Sequence, residues 1–76
     1  MPYRTNFDLP IPVQKHLPAE AQSIYRASFN HAWQTYERNS RREEIAHRVA
    51  WAAVKKRYRK AGDVWVPKQE ASTLRH

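Results

Sequence analysis

The chain contains no cysteine and a single glycine, Gly62. Without cysteine it forms no disulfide and carries neither a thiol nucleophile nor a cysteine-ligated zinc site. One glycine cannot build the glycine-rich loops that cradle phosphates in nucleotide-binding enzymes. The serines also lack the Gly-x-Ser-x-Gly context of a hydrolase nucleophile. These absences predict a protein that is not an enzyme and that uses no cofactor.

Long hydrophobic runs are missing as well. The longest one spans Val49 to Val54, far shorter than the about 20 residues that a membrane-spanning helix requires. The first residues, MPYRTNFDLPIP, are interrupted by prolines and lack the apolar region of a signal peptide. We therefore expect a soluble, cytoplasmic protein.

Acidic residues are outnumbered by basic ones. Fourteen lysines and arginines stand against seven aspartates and glutamates, which gives a formal charge of +7. The excess is concentrated in residues 37–76, which hold eleven basic and five acidic residues. Such a surface attracts nucleic acid, anionic lipid or an acidic protein, and charge alone does not choose among them.

Two long helices are predicted in this chain of 76 residues, which is long enough for one small domain. Apolar residues spaced by three and four predict a helix over residues 18–36. A second helix is predicted over residues 40–61, with a capping box formed by Ser40 and Glu43 and a left-handed stop at Gly62. The short connection between the helices favours antiparallel packing.

Shorter elements are predicted at the ends of the chain. Asp8 is expected to cap a short helix that ends near His16. Residues 3–5 and 64–66 have strand character, and we expect them to pair. The predicted fold class is mainly α: two long antiparallel helices plus a short N-terminal helix, with a small two-stranded sheet joining the chain ends. Residues 1–67 are expected to form the domain, and residues 68–76 a flexible polar tail.

The predicted core follows the helical spacing, and aromatic side chains supply much of it. On the first long helix, the predicted core residues are Ala21, Ile24, Tyr25, Phe29, Ala32 and Tyr36. On the second, they are Ile45, Ala46, Val49, Ala50 and Ala53, with a flank of His47, Trp51, Val54 and Tyr58. Trp33 and Trp65 are the better candidates for exposed aromatics, although a packing role is favoured for both.

Several short features in this order resemble the ChaB family. The N-terminal half contributes Met1-Pro2-Tyr3, Asp8-Leu9-Pro10, Leu17-Pro18, Ala21-Gln22, Ile24-Tyr25, Phe29-Asn30, Ala32-Trp33 and Tyr36. The C-terminal half contributes Arg42-Glu43-Glu44, Ala46-His47, the run from Val49 to Lys55, Tyr58 and Trp65. No single piece is diagnostic, but the combination over residues 1–66 is specific.

The resemblance implies a compact helical fold with a small sheet. It also implies a regulator of cation transport, an accessory to a calcium or sodium/proton antiporter, and DNA binding is suggested for some relatives. It implies no catalytic residues. This chain differs from the family pattern in its short connection between the long helices and in the tail that follows Trp65.

One pair of residues has the spacing of a metal site. Glu44 and His47 stand three residues apart, as in the Glu-x-x-His motif of di-iron bundles. Such sites need a second pair and two further glutamates, which the other long helix does not supply. Glutamates also suit a helix N-terminus. We therefore predict no metal ligand here and place His47 as a partly buried residue on the flank of its helix.

A basic cluster is the main functional feature of the sequence. The candidate partner- or nucleic-acid-binding residues are Arg41, Arg48, Lys55, Lys56, Arg59 and Lys60. Arg41, Arg48, Lys55 and Arg59 share one face of the predicted second long helix. Two interpretations stay open, because cations near a helix C-terminus are stabilising without any ligand and also form a surface for an anionic partner.

Three kinds of partner fit such a surface. The first is an acidic protein surface, in particular that of a cation/proton antiporter, contacted by a monomer of this protein. The second is nucleic acid, bound through its phosphates without sequence preference. The third and less favoured is an anionic membrane surface with Trp65 as an anchor.

Overall fold

The structure is a computed structural model, and it describes residues 2–68. A 3-10 turn at Asn6–Asp8 is followed by helices α1 (Ile11–His16), α2 (Ala19–Thr35) and α3 (Arg42–Arg57), and then by strands β1 (Tyr58–Ala61) and β2 (Val64–Pro67). The predicted fold class is confirmed in its main features, because the chain is mainly helical with two long antiparallel helices and one small sheet. Most of the predicted polar tail, residues 69–76, lies outside the described residues.

The core lies between α2 and α3 and extends under α1 and the sheet. Its buried residues are Leu9, Val13, Leu17, Ala21, Tyr25, Phe29, Ala32, Ala46, Ala50, Val54 and Tyr58. Ala46, Ala50 and Val54 follow one another at intervals of four residues and are each 0% exposed. Small side chains in such a row let two helix backbones approach closely. The predicted core residue Tyr36 is 41% exposed, because α2 ends before it.

The expected caps are wrong. Ser40 and Glu43 form no capping box, since α3 begins at Arg42 after an N-cap residue without a side-chain cap. The Asn39 side chain organises this turn instead, by accepting from the backbone N–H of Arg41 at 2.8 Å. Asp8 likewise does not cap α1, which begins at Ile11 after Pro10.

Asp8 forms the capping box that the chain does contain. It pairs with Thr5 around the 3-10 turn, and its carboxylate accepts the backbone N–H groups of Arg4 and Thr5, each at 3.0 Å. These hydrogen bonds favour the ionised form, and they lower the pKa of Asp8.

The sheet has a different partner strand from the one predicted. The expected pairing of residues 3–5 with residues 64–66 is wrong, and so is the extension of the last helix to Ala61. The helix stops at Arg57, and β1 pairs with β2 in an antiparallel hairpin whose register runs from Tyr58↔Pro67 to Ala61↔Val64. The sheet therefore lies at the C-terminal end and does not join the two ends of the chain.

Gly62 makes this hairpin possible. Its φ is +66°, and Asp63, the other residue of the two-residue loop, has no positive φ. A glycine at the first loop position with this backbone is typical of the type II′ turn, whose twist matches that of the flanking strands. The left-handed helix stop predicted at Gly62 is therefore wrong, because α3 ends at Arg57 and the positive φ of Gly62 belongs to a hairpin turn.

Polar side chains of α2 hold the N-terminal segment in place. Asn30 accepts the Tyr3 backbone N–H at 3.2 Å and donates to the Tyr3 carbonyl at 2.7 Å. Arg26 donates to the Asn6 side chain and to the Arg4 carbonyl, both at 2.9 Å. These side chains thus supply hydrogen bonds to backbone N–H and C=O groups of the N-terminal segment, which a neighbouring strand would otherwise provide.

The hairpin is attached to the helices at two points. Tyr58 is buried, and its hydroxyl donates to Glu20 of α2 at 3.3 Å. At the opposite end, the His16 ring lies 2.8 Å from the Asp63 carbonyl, which accepts from its Nδ1–H. The hairpin is thus fixed relative to both α1 and α2. Among residues 2–68, no helix is long and apolar enough to cross a membrane.

Candidate partner-binding surface

The predicted basic cluster is divided by the structure into two groups. The first lies at the N-terminal end of α3, where Arg41 and Arg48 both contact Glu44. Arg41 donates through two nitrogens, at 3.0 and 3.1 Å, and Arg48 at 3.1 Å. A single carboxylate thus neutralises part of the charge of both arginines, which weakens this group as a site for an external anion.

The second group lies at the other end of α3 and on the hairpin. Lys55 and Lys56 belong to the last turn of the helix, whereas Arg59 and Lys60 belong to β1, and all four are exposed. The prediction that Arg59 continues the helical face of Arg41, Arg48 and Lys55 is wrong, because the chain leaves the helix before it. Successive strand residues point to opposite faces, so Arg59 and Lys60 face different sides of the sheet.

Lys60 shares a face with Trp65. The two residues are direct partners in the antiparallel register, and side chains of such a pair lie on the same side of the sheet. Tyr58, two residues earlier, is buried on that same face. The hairpin therefore places one lysine beside a tryptophan at the junction with the helices.

This junction contains a pocket of about 410 Å³, which we call the tryptophan pocket. It is lined by Pro12, His16, Trp51, Lys55, Lys60, Asp63 and Trp65. Residues from α1, α3 and the hairpin meet here, although they lie far apart in the sequence. Two of the six predicted binding residues, Lys55 and Lys60, come together at this pocket.

The two tryptophans form the apolar wall of the tryptophan pocket. Their ring centroids are 5.6 Å apart, with the planes tilted by 37°. Trp51 is supported from behind by an edge-on contact with the buried Tyr25, at 5.2 Å between centroids. Both tryptophans are half-buried, so each still presents apolar surface to the pocket.

The charge of the tryptophan pocket is mostly positive. Every side-chain ion pair among residues 2–68 involves Glu43 or Glu44, at the opposite end of α3. Within this part of the chain, Lys55 and Lys60 thus have no carboxylate partner. Asp63 is the single acidic residue of the lining, and it is exposed.

His47 is a packing residue, as predicted. It is half-buried, its ring lies 4.7 Å from that of Phe29, and its Nδ1 is hydrogen-bonded to the Tyr25 hydroxyl. Burial raises the pKa of Tyr25 to about 12, because the charged phenolate loses solvation inside the protein. Glu44 contacts arginines rather than His47, and residues 2–68 contain no group of three or more potential metal-ligating side chains.

Trp33 is covered by an arginine. The Arg42 guanidinium carbon lies 3.9 Å from the centre of the Trp33 ring, and its Nε donates to the Trp33 carbonyl at 2.7 Å. This cation–π contact joins the end of α2 to the start of α3. The interpretation of Trp33 as a packing residue at the edge of the apolar face agrees with this arrangement.

The tryptophan pocket was not predicted from the sequence. Its residues are contributed by three elements, and their proximity depends on a hairpin that was not predicted, since residues 58–61 were expected to be helical and residues 64–66 to pair with residues 3–5. One signal was present: Gly62-Asp63 separates two four-residue segments, and a two-residue Gly-Asp loop is typical of a β-hairpin. A hairpin centred on this loop pairs Lys60 with Trp65.

The sequence is similar to that of known proteins of one family. A family model described as ChaB matches residues 9–68. The chain is 49% identical over 69 residues to a protein of Escherichia coli strain K12 named "Putative cation transport regulator ChaB", with 83% of this chain and 91% of the relative covered. A protein of the same name from Shigella flexneri shows the same identity and coverage.

The fold has a solved counterpart. The NMR solution structure of a "putative cation transport regulator ChaB" superimposes with a TM-score of 0.77 at 49% sequence identity. The match covers 88% of this chain and 99% of that one. Three helices followed by a small sheet therefore constitute an arrangement that is also found experimentally in a similar protein.

Proposed function

Because this chain belongs to the ChaB family, we propose that it is a non-enzymatic regulator of cation transport that acts by protein–protein contact. The observation that carries the proposal is the 49% identity to relatives named for this role over most of their length. The partner is an acidic cytoplasmic surface of a cation/proton antiporter that exports Ca²⁺ or Na⁺. A regulator of this kind needs a contact surface and no reactive groups.

The contact surface is the basic end formed by the last turn of α3 and by β1. Lys55, Lys56, Arg59 and Lys60 are exposed there, next to the half-buried Trp65. Charges on an exposed surface act mainly by attracting the partner and orienting it, while apolar contacts supply lasting affinity. Arg41 and Arg48 lie at the other end of α3 and contribute less, since both contact Glu44.

The test is an antiport measurement in inverted membrane vesicles that contain a single Ca²⁺/H⁺ or Na⁺/H⁺ antiporter. We expect the purified protein to change the initial rate of antiport for one of the two cations. The double variant Lys55→Gln/Lys60→Gln is expected to need about tenfold more protein for the same effect, since each exposed ion pair contributes up to about 1 kcal/mol.

A matched control removes the same charge elsewhere. Lys15→Gln/Arg38→Gln also eliminates two exposed cations, one on α1 and one in the α2–α3 connection. This variant is expected to act like the unmodified protein. An unchanged antiport rate for both cations at saturating protein would refute the proposed function.

Nucleic acid is the competing partner, and it would use the same cations. If four cations contact phosphates of duplex DNA, the logarithm of the binding constant falls with the logarithm of the salt concentration with a slope of about −3.6. We expect no such binding at physiological salt. A slope near this value together with an unchanged antiport rate would replace the proposed function by sequence-nonspecific DNA binding.

A further inference from the structure

We propose that the tryptophan pocket binds one large apolar side chain of an acidic peptide segment, while Lys55 and Lys60 pair with the carboxylates that flank it. This inference rests on the proposed function, and it specifies the partner as a linear acidic motif with an aromatic or aliphatic centre. Its support comes from the shape of the pocket, its apolar wall and its charge.

The size of the tryptophan pocket suits one side chain. Its volume of about 410 Å³ lies at the lower end of the range of ligand pockets, about 300–1,000 Å³. An aromatic side chain fits such a space together with parts of the residues that flank it. The wall formed by Trp51, Trp65 and Pro12 is apolar, and covering its half-exposed rings removes this surface from water.

The wall is already in position before a ligand arrives. Trp51 is fixed by its edge contact with Tyr25, and Trp65 by its place in the sheet opposite Lys60. The hydrogen bond between His16 and the Asp63 carbonyl holds the hairpin turn against α1. A preformed site avoids much of the entropic cost of ordering side chains when a peptide binds.

Two cations stand beside this apolar wall. Lys55 comes from α3 and Lys60 from the hairpin, so they approach the pocket from different elements. Neither has an acidic partner among residues 2–68, so no ion pair within this part of the chain competes with carboxylates of a ligand. Charge complementarity of this kind selects an acidic segment over a neutral or basic one.

Asp63 limits where the carboxylates of the peptide lie. As the acidic residue of the lining, it repels a negative group on its own side of the tryptophan pocket. A peptide must therefore present its acidic residues toward the lysines. Removing the Asp63 charge is expected to strengthen binding of an acidic peptide, in contrast to the effect of removing either lysine.

The arrangement of the rings favours a peptide over a single-stranded nucleic acid. Bases stack on open, flat aromatic faces. Here the two ring planes are inclined by 37° to one another, both rings are half-buried, and both line a pocket. Such an arrangement offers no open flat face for a base to stack on, and it suits a branched or aromatic side chain better.

The experiment is an NMR titration that follows the three tryptophan indole N–H signals, assigned through single Trp→Phe variants. The probe is the peptide Glu-Asp-Phe-Asp-Glu, with Glu-Asp-Ala-Asp-Glu as its matched control. We expect shifts of the Trp51 and Trp65 signals and none of Trp33, which lies under Arg42. The alanine peptide is expected to bind at least about tenfold more weakly, because it loses most of its apolar contact.

Charge variants test the polar half of the site. Lys55→Gln/Lys60→Gln is expected to weaken binding of the phenylalanine peptide by about tenfold, and Asp63→Asn to strengthen it by about twofold. Lys15→Gln/Arg38→Gln, with the same loss of charge as the first variant, is expected to leave the affinity unchanged. Equal effects of the two double variants would show that the affinity depends only on the net charge of the protein, and would overturn the proposed site.

The remaining outcomes separate this inference from the proposed function. If both peptides bind equally without shifts of Trp51 and Trp65, the pocket is wrong, while an antiport effect would still support regulation. If the phenylalanine peptide binds as expected but antiport is unchanged, the site stands and the transporter is not its partner. Shifts of both signals with oligothymidylate, but with neither peptide, would assign the pocket to single-stranded nucleic acid.

Discussion

Tyr25 and His47 form a part-buried polar contact in the core. Tyr25 is 1% exposed and is surrounded by the rings of Phe29, Trp51 and His47. Its hydroxyl is hydrogen-bonded to His47 Nδ1. A polar hydroxyl is tolerated in the core because it is hydrogen-bonded. Because this hydroxyl can ionise, it also makes the free energy of unfolding depend on the protonation of Tyr25.

This contact predicts a loss of stability at high pH. The pKa of Tyr25 is raised from 10.0 to about 12 in the folded protein, so its contribution is fully present below pH 10. Above that, the unfolded chain ionises while the folded protein does not, and stability falls as the pH rises through about 12. Each pH unit corresponds to about 1.4 kcal/mol, so the loss over this window is about 2–3 kcal/mol.

Urea denaturation followed by circular dichroism at several pH values checks this expectation. Tyr25→Phe is less stable near neutral pH, since His47 loses its partner, but its stability should depend less steeply on alkaline pH. Tyr3 and Tyr58 also have raised pKa values through burial, so part of the slope remains in the variant. A slope identical in the two proteins would contradict the role of Tyr25.

At the scale of elements, the hairpin depends on one backbone conformation. Gly62 has a φ of +66°, and a Cβ added there would meet nothing within 4 Å. A substitution at this position therefore reports on the backbone alone, without a steric clash against the rest of the protein.

Gly62→Ala is expected to destabilise the protein by about 1–2 kcal/mol. For a domain of this size, that lowers the melting temperature by roughly 4–16 °C. Gly62→Asn should cost less, because asparagine adopts positive φ more easily than alanine. The measurement is the melting temperature of the unmodified protein and of the two variants. An alanine variant with an unchanged melting temperature would contradict the prediction that the turn requires glycine.

The elements that the sequence predicted well are those defined by local patterns. The spacing of Ala21, Tyr25, Phe29 and Ala32 predicted the buried face of α2 correctly. The end of α3 was misplaced by four residues, because Tyr58-Arg59-Lys60-Ala61 contains no helix breaker. Its strand conformation comes from pairing with Val64–Pro67, which is a tertiary interaction that local propensity does not report.

For the candidate site too, the sequence predicted local features but not contacts between distant parts of the chain. Lys55 and Lys60 were predicted as candidate binding residues from their charge, and both are exposed, but that they bind a partner stays a prediction. Their convergence on Trp51 and Trp65 was not predicted, because it depends on how the hairpin folds back toward α1.

At the scale of the whole molecule, Phe29 lies at the centre of the aromatic core. Its ring contacts those of Tyr3 at 4.7 Å, Trp33 at 5.8 Å and His47 at 4.7 Å between centroids. These residues come from the N-terminal segment, α2 and α3. One side chain therefore connects the N-terminal segment, α2 and α3.

Phe29→Ala is expected to remove most of the stability of the protein. Replacing a buried phenylalanine by alanine lowers the free energy of unfolding by about 3–5 kcal/mol. The least stable folded proteins have a total free energy of unfolding of only about 5 kcal/mol. Urea denaturation should show a lost or strongly shifted transition. Phe7→Ala is the matched control, because Phe7 is 87% exposed and its loss should change stability by less than about 0.5 kcal/mol.

The fully buried alanines of α3 have a consequence for how this protein tolerates sequence change. Ala46 and Ala50 face α2 with no exposed surface, so any larger side chain there must push the two helices apart. Trp33, although far larger, is only half-buried between Phe29 and Arg42, and is therefore less tightly enclosed than these alanines. Across related sequences, substitution should therefore be least frequent at two of the smallest side chains of the chain, and an inconspicuous pair of alanines would mark the family more faithfully than its tryptophan at position 33.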